Sequence, residues 1–427
     1  MTTKFCSERL KRLSTVVDQE VDQQIIAGCA VAIGSAAGNL FQHCSGFANV
    51  ETEMTVDSNT VFRIASMTKP ITSAAIMMLM ERGLFLLDDP IEKYLPGFKN
   101  MRVLTGKHDD QGNPKTRKSK TSVTIRHLLT HTSGIGYSFT HPELGDFYRA
   151  ANIRDWAYLD TTSIEEVVGR LAEQPLAFDP GTNWLYGLNI DVLGRLVEVL
   201  SGATFADFLA NEIFEPLAMG STSFYPTALQ LQRLARVYTP DIATETYDDL
   251  DFITAKESFC VPVGTGLRVL SKLEFESLLH ADFKAVESPS EYEQDYYSGG
   301  AGLHSTLEDY SHFCQMMIGN GAWKDQRLLS KSSVALMGSN NIGELTINIG
   351  GAIDSDQFGL GFAVVNDIGS QTFISGKGMI YWGGAYNTRF VLDPVNDFYA
   401  ISMTQLYPNF HCDLNNRIIS LVYQALQ

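Results

Sequence analysis

A serine and a lysine stand three residues apart in the stretch Ser66-Met67-Thr68-Lys69. On a helix this spacing is about one turn, so the two side chains share a face and can hydrogen-bond to each other. A serine hydroxyl is a weak nucleophile until a base takes its proton, and a lysine withdrawn from water can be that base. At a helix start, the N–H of Ser66 and the helix dipole would also stabilise a developing oxyanion. The pattern is therefore typical of nucleophilic catalysis.

The Ser-x-x-Lys pattern is short, and chance matches are expected in a chain of 427 residues. Its setting is more specific, because it follows a strand-rich segment and opens a long apolar helix. We expect one face of this helix to be core, since apolar residues recur at helical spacing at Ile71, Ala74, Ala75, Met78 and Leu79. In the alternative interpretation, Ser66 merely caps the helix and Lys69 is solvated.

Two other classes of hydrolase find less support in the sequence. A Ser-His-Asp enzyme would draw on nine histidines and many acids, but no Gly-x-Ser-x-Gly elbow occurs in the chain. A metal-dependent hydrolase would need closely spaced ligands, and no His-Glu-x-x-His or similar pattern is present.

The elements that must position Ser66 begin at the N-terminus. Residues 8–26 are amphipathic and predict a helix, and residues 28–34 and 40–50 predict a strand hairpin bounded by glycines. The middle of the chain, from about 96 to 344, is mainly helical, with clear helices at 163–174 and 190–202. Residues 103–122 are polar and predict a surface loop, and residues 228–297 could cover a cleft.

Strand patterns return near residue 345 in LTINIGG, FGLGFAVV, QTFISGKG, NTRFVLDP and FYAISMTQ, and a helix in LNNRIISLVYQAL closes the chain. Strands at both ends with helices between them predict an α/β domain from residues 1–95 and 345–427 and an inserted, mainly helical domain over 96–344. A ligand is expected in the cleft between the two domains.

Composition restricts the partners of the protein. The formal net charge is −17, and we identify no basic cluster that would favour nucleic acid. The first residues lack the apolar core of a secretory signal, and no later stretch is long and apolar enough to span a bilayer. We therefore expect a soluble cytoplasmic protein, while the sequence does not define its oligomeric state.

Six cysteines are widely scattered, without the paired spacing of a zinc site: Cys6, Cys29, Cys44, Cys260, Cys314 and Cys412. Free thiols are the expected state. Cys29 and Cys44 lie in predicted strands, which favours burial as small hydrophobic residues over a reactive role.

Three stretches carry a resemblance to the serine β-lactamase and penicillin-binding-protein superfamily: FRIASMTKPITS, TIRHLLTHTSGIGY and PGTNWLYGLNIDVLGRLVE. Within it, the sequence is most similar to the family VIII carboxylesterases and also resembles the fungal statin acyltransferases. The likeness extends from about residue 10 to 425 and is weakest between 228 and 297. It implies a β-lactamase/transpeptidase-like fold, an antiparallel sheet flanked by helices with an inserted helical domain.

The resemblance also implies roles for single residues. Ser66 would be the nucleophile, Lys69 its activating partner and Tyr186 the phenol that shuttles protons. The backbone N–H groups of Ser66 and Ala385 would form the oxyanion hole. His127 and His131 would be structural.

Two departures from the β-lactamase pattern bear on the substrate. Leu188 occupies the position of an amide-recognition asparagine, and Asn189 one residue later would only replace it if its side chain turned back. Trp382-Gly383-Gly384 stands where β-lactamases have Lys-Thr-Gly, so an indole replaces a cation and favours a neutral, apolar group. Tyr137 is a candidate pocket wall.

These features predict a serine hydrolase that works through an acyl-enzyme, a carboxylesterase on small to medium acyl esters with no cofactor. Acyl transfer, and β-lactam or D-alanyl peptide hydrolysis on the same fold, remain alternatives, because all share the acyl-enzyme and differ in what attacks it. A non-catalytic binding protein is the rival from another class. It would usually lack Ser66, Lys69 or Tyr186, and all three are present.

Overall fold

The computed structural model describes residues 4–155, 162–240, 267–269, 296–349, 352–353, 356–407, 409 and 412–427. The α-helices within these residues, named α1 to α11 in chain order, are Ser7–Asp22, Thr68–Glu81, Ile125–Leu129, Pro142–Ala150, Ile164–Ala172, Asn189–Ser201, Phe205–Leu209, Ala228–Leu231, Leu307–Ile318, Lys331–Met337 and Leu414–Ala425. The strands, β1 to β18, are Gly28–Ser35, Gly38–Asn49, Met54–Thr55, Phe62–Arg63, Arg102–His108, Pro114–Lys118, Tyr238–Pro240, Leu267–Val269, His304–Ser305, Ala322–Trp323, Gln326–Arg327, Asn348–Ile349, Ala352–Ile353, Gln357–Phe358, Ala363–Val364, Ile380–Gly384, Thr388–Asp393 and Phe398–Met403.

Strands from both ends of the chain form one eight-stranded antiparallel sheet. Its order is β14-β15-β16-β17-β18-β1-β2-β3. In the middle, Ala32 of β1 lies opposite Ile401 of β18 on one side and Gln42 of β2 on the other. The predicted hairpin over residues 28–50 is therefore confirmed, and the last strand of the chain lies beside the first.

Strand β1 is buried at all eight positions because both faces of the sheet are covered. Val31 and Ile33 pack with the terminal helices α1 and α11, whereas Ala30 and Ala32 belong to the large core that contains α2 and α9. This alternation follows the period of two of a strand. The antiparallel sheet flanked by helices that the sequence predicts is confirmed.

Helix α2 is buried more completely than its sequence pattern predicts. Each residue from Thr68 to Leu79 is buried, not only one apolar face. The helix packs against α6 and lies within the large core, so it has no solvent-facing side over these residues. The expectation of a single core face was wrong for this reason.

Within the described residues, the middle region contains the expected helices and two short hairpins that the sequence does not predict, β5 with β6 and β10 with β11. Helix α5 follows a capping box formed by Ser163 and Glu166, and α6 ends at Gly202, whose φ is 74°. Residues 103–122 are not a loop, since β5 and β6 pair there with Val103 opposite Arg117. The sequence does not reveal this hairpin, because the buried apolar residues Val103 and Leu104 are adjacent rather than alternating, and most other residues of the two strands are polar and at least partly exposed.

The C-terminal strand predictions are confirmed in part. NTRFVLDP and FYAISMTQ contain β17 and β18, and FGLGFAVV divides into β14 and β15 around Gly361, whose φ is 91°. QTFISGKG forms no strand in the described chain; there the N–H of Ile374 donates to the Ser420 hydroxyl rather than to a neighbouring strand. In the described part of LTINIGG, residues 345–349, the strand is the two-residue β12.

The division into a terminal α/β domain and an insertion at 96–344 stays a prediction. Most of the segment 228–297, including Cys260, lies outside the described residues. The other five cysteines are free; Cys29 is buried as expected, whereas Cys44 is partly exposed. No helix in the described part of the chain combines the length and the apolar character needed to cross a membrane.

Candidate active site

Ser66 lies in a tight turn that joins strand β4 to helix α2. The turn is a 3-10 helix, Ala65–Met67. Its first residue, Ala65, has a φ of 42°, in the left-handed region that residues other than glycine rarely adopt. Such backbone strain is concentrated at functional sites. Ser66 is partly exposed between two buried neighbours, so its hydroxyl is accessible from solvent while its backbone is held in the core.

Lys69 is buried directly behind Ser66, and the residue is only 1% exposed. Its Nζ donates to three acceptors: Ser66 Oγ at 3.1 Å, Tyr137 Oη at 3.0 Å and the Gly300 carbonyl at 2.8 Å. These bonds use the full donor capacity of an ammonium group. The alternative of a solvated Lys69 is wrong, and the N-cap residue of α2 is Met67 rather than Ser66.

Tyr186 completes the group around the serine hydroxyl. Its Oη lies 2.7 Å from Ser66 Oγ, and the Lys69 ammonium lies 4.5 Å from the centre of its ring. The Tyr186 carbonyl accepts hydrogen bonds from the N–H of Tyr137 and the hydroxyl of Thr140. The structure thus brings the three predicted catalytic side chains together, with the phenol fixed from the backbone side.

Trp382 lies on β16 against the same phenol. Its Nε1–H donates to Tyr186 Oη at 3.4 Å, and the two ring centres are 5.4 Å apart. At the end of β16, a Cβ added to Gly384 would lie only 2.5 Å from the Ile64 carbonyl oxygen. Glycine at this position allows the strand to approach the turn that carries Ser66. Ala385 follows directly in the turn between β16 and β17.

Leu188 and Asn189 face the interior. Leu188 is fully buried. The Asn189 amide nitrogen donates to His131 Nδ1 and to the Ile135 carbonyl, both at 3.0 Å, while its oxygen accepts from the Ser133 hydroxyl. These bonds hold the 131–135 loop, and none of them reaches the serine or the lysine. Asn189 therefore does not replace the amide-recognition group of β-lactamases.

The two histidines near the site have structural contacts. His131 is fully buried, and burial, followed by the nearby positive charge of Lys69, holds its pKa well below its usual value. Its Nδ1 accepts the hydrogen bond from Asn189. His127 closes the capping box of helix α3 with Thr124. Neither ring hydrogen-bonds to Ser66, so neither of these two histidines serves Ser66 as the base of a Ser-His-Asp triad.

Three features of the site were missed by the sequence analysis. Tyr137 was expected as a pocket wall, but its hydroxyl is a direct partner of Lys69. Burial, and then the neighbouring Tyr186 and Asp191, raise the pKa of Tyr137 well above its usual value. The Gly300 carbonyl and Asp191 were not considered. The small-residue run Ser298-Gly299-Gly300 could have indicated a close backbone approach.

This geometry can be set against known proteins. The model of the family described as Beta-lactamase matches residues 13–423. The chain belongs to the beta-lactamase family. The β-lactamase/transpeptidase-like fold predicted from the sequence is thereby confirmed, as are the likenesses to esterases and to statin acyltransferases.

The members that this chain resembles include both hydrolases and transferases. Esterase EstB of Burkholderia gladioli is 29% identical over 90% of this chain and 86% of its own length. Monacolin J acid methylbutanoyltransferase of Aspergillus terreus is 34% identical over 50% of this chain and 51% of its own.

Solved structures give the same two classes. "EstCE1, a hydrolase with promiscuous acyltransferase activity" has a TM-score of 0.75 at 25% identity, covering 97% of this chain and 98% of its own. Unliganded simvastatin synthase (LovD) from Aspergillus terreus has a TM-score of 0.76 at 26% identity, covering 98% of each chain. The family relationship supports a serine enzyme that acts on small acyl substrates.

Proposed function

We propose that this protein is a carboxylesterase that hydrolyses small to medium acyl esters through an acyl-enzyme on Ser66. The observation that carries the proposal is the double contact to Ser66 Oγ, from Lys69 Nζ at 3.1 Å and Tyr186 Oη at 2.7 Å. A hydroxyl held by two proton-transfer partners is the arrangement that activates a serine nucleophile.

The reactive form of the Lys69 and Tyr186 pair is the one that holds one proton fewer than an ammonium and a phenol together. In the proposed first step, Ser66 Oγ forms a bond to the ester carbonyl carbon, the carbonyl double bond opens to an oxyanion, and the Ser66 proton passes to that pair. The tetrahedral intermediate collapses, the bond to the alcohol oxygen breaks, and the pair protonates the leaving alkoxide. Water then attacks the acyl-enzyme and gives a proton to the same pair. That proton returns to Ser66 Oγ as the carboxylic acid leaves.

The N–H groups of Ser66 and Ala385 are the proposed donors to the oxyanion. Gly384, which abuts the Ile64 carbonyl, supports this assignment because it brings the chain at Ala385 toward the Ser66 turn. Trp382 places an indole against Tyr186 where a β-lactam would need a cation. Leu188, whose side chain is buried in the interior, stands in the sequence where β-lactamases have the recognition amide. Both replacements favour a neutral ester over a charged β-lactam.

The test compares turnover of p-nitrophenyl butyrate and of a chromogenic cephalosporin by the wild type, Ser66→Ala and Ser73→Ala. Ser73 is the matched control, since it lies on α2 and its buried hydroxyl has no partner in the described structure. We expect ester turnover to fall by at least about 10³-fold in Ser66→Ala and to persist in Ser73→Ala, with little cephalosporin cleavage. Strong cephalosporin cleavage would contradict the substrate class.

Acyl transfer is the second candidate, favoured by the similarity to a methylbutanoyltransferase and to a hydrolase with acyltransferase activity. It shares the acyl-enzyme and differs in that an alcohol rather than water accepts the acyl group. Adding a small alcohol to the ester assay distinguishes the two, because a transferase forms the new ester in preference to the acid. Turnover of no substrate would favour a non-catalytic binding role. The cytoplasmic location stays a prediction.

A further inference from the structure

A buried carboxylate lies behind Lys69, on the side away from Ser66. Asp191, in the first turn of α6, is 1% exposed. Its Oδ1 accepts three hydrogen bonds, from Tyr296 Oη at 3.0 Å, Ser298 Oγ at 2.7 Å and the N–H of Gly300 at 3.3 Å. Hydrogen bonds of this kind favour the ionised form of a carboxyl group.

The second oxygen of Asp191 is buried and accepts no hydrogen bond within the described residues. It faces the same glycine as the phenol that binds Lys69. A Cβ added to Gly300 would lie 2.7 Å from Asp191 Oδ2 and 3.0 Å from Tyr137 Oη. A buried carboxylate oxygen without a hydrogen-bond partner is costly, and a nearby positive charge would offset part of that cost.

Gly300 links Asp191 to Lys69 through a single residue. Its N–H donates to Asp191, and its carbonyl accepts from Lys69 Nζ at 2.8 Å. The neighbouring Gly299 carbonyl accepts from the Thr72 hydroxyl of α2 at 2.8 Å, and a Cβ on Gly299 would lie 2.5 Å from the Ile190 carbonyl oxygen of α6. The segment is thus held between the two helices.

The charges around Lys69 are unbalanced without Asp191. No carboxylate in the described part of the chain forms a salt bridge with Lys69. The other titratable groups around Lys69, Asp191 and their bonded partners are phenols, a histidine and one acid: Tyr137, Tyr186, Tyr296, His131 and Asp155. The Asp155 carboxylate is already bound by the N–H and hydroxyl of Ser138.

We propose that Asp191 is a positioning residue that fixes Lys69 for proton transfer, through the Gly300 carbonyl and through its own negative charge. The inference rests on the proposed role of Ser66 as nucleophile. Burial raises the pKa of Asp191, and the hydrogen bond from Ser298 and then the charge of Lys69 oppose that rise, so the two groups are electrostatically linked. Asp191 acts on Lys69 through the position of Gly300 and through its charge, and no hydrogen bond joins it to the serine.

The test measures the rate at which a fluorophosphonate labels Ser66 between pH 5 and 9, by intact mass. This reagent reports nucleophile activation whatever the natural substrate is, so a failure of the esterase assignment remains distinguishable. Asp191→Asn keeps an acceptor oxygen and removes the charge. An ammonium without its counter-charge loses its proton more easily. The acidic limb of the labelling profile, where the rate rises with pH, should therefore move by about one pH unit to lower pH. The maximal rate should fall about tenfold as Lys69 loses its fixed position.

Asp191→Glu restores the charge and should return the limb to its wild-type position. If Asp191→Asn does not fold, Ser298→Ala serves instead, because it removes the 2.7 Å bond to Oδ1 and should move the limb in the same direction by less. Asp309→Asn is the matched control, a buried carboxylate outside this network. A wild-type limb in Asp191→Asn, an equal shift in Asp309→Asn, or no labelling of the wild type would overturn the proposal.

Discussion

Two buried carboxylates occupy the same position in two different helices. Asp191 is the third residue of α6 and Asp309 the third residue of α9, and burial raises the pKa of both. Asp309 binds the N–H of Ser221 and the hydroxyl of Thr222, both at 2.8 Å, and so anchors a loop. Asp191 anchors a segment whose carbonyl reaches Lys69. What the anchored segment contacts, rather than the carboxylate itself, therefore separates a structural position from a functional one.

The largest effect should come from substituting Lys69, the lysine that Asp191 is proposed to position through Gly300. Lys69→Ala removes the proton acceptor and the contact to Ser66, so we expect fluorophosphonate labelling to slow by about 10³-fold or more. Lys93→Ala is the control, because Lys93 is an exposed lysine paired with Asp89 at 3.0 Å. Labelling of Lys69→Ala at the wild-type rate would show that Lys69 does not activate Ser66, and the segment anchored by Asp191 would then have no functional role.

Gly300→Ala tests the link between Asp191 and Lys69. The added Cβ would lie 2.7 Å from the carboxylate and 3.0 Å from the Tyr137 hydroxyl, so the segment must move. We expect the labelling rate to fall about 10- to 100-fold, the scale of a misplacement near 1 Å. Gly169→Ala is the control on α5, where an added Cβ meets nothing within 4 Å. It should stabilise the fold by about 0.5–1 kcal/mol.

Asp309→Asn should lower the stability of the fold and leave the labelling rate of Ser66 unchanged. Both bonds reach Oδ2, and an amide oxygen in its place can still accept them, but the charge-assisted part is lost, so the free energy of unfolding should fall by about 1–3 kcal/mol. Urea unfolding measures this change, and the labelling rate at 25 °C should equal that of the wild type. A slower rate in the folded variant would show that Asp309 also reaches the site.

A smaller effect concerns the pH dependence of stability near Asp309. Burial, and then the charge of Arg63, lower the pKa of His304 to about 3. The unfolded chain binds this proton near pH 6.5, so the folded state binds fewer protons below that value. Stability should therefore fall by about 1.4 kcal/mol per pH unit as pH drops from about 6.5 toward 3.

His304→Gln removes this titration, and urea midpoints at pH 7 and pH 5 measure the loss of slope. The pH profile of Ser66 labelling should stay unchanged, because His304 bonds to the Phe224 carbonyl and lies in the strand beside the Asp309 anchor. A shift of that profile would show that the surroundings of Asp309 are coupled to the site around Asp191 and Lys69.

The features predictable from the sequence are those with a local pattern. The spacing of Ser66 and Lys69 fixes their shared face, and alternation identifies the hairpin of β1 and β2. The contact of Lys69 with Gly300 joins residues 231 positions apart, and no local pattern encodes it. Tyr137 has the same difficulty, since only the folded chain brings it to Lys69.

The errors have physical causes of the same kind. Burial of α2 on all sides depends on α6, which is more than a hundred residues away in the chain. The hairpin of β5 and β6 is stabilised by backbone bonds and by contacts such as Arg102 with Thr116, which leave no apolar period. QTFISGKG has the composition of a strand, but its backbone is bound by a helix side chain, Ser420, instead of a neighbouring strand.

The pairing of β1 with β18 has a consequence for synthesis. Until residues 398–403 leave the ribosome, one edge of β1 has no partner, and such an edge is prone to pair with other chains. Strands β16 and β17 extend the sheet only from β18, and Gly384 on β16 supports the turn of Ser66. The nascent protein should therefore be inactive for most of its translation. The turn that carries Ser66 is supported only after strands β16 to β18 have been synthesised and have paired.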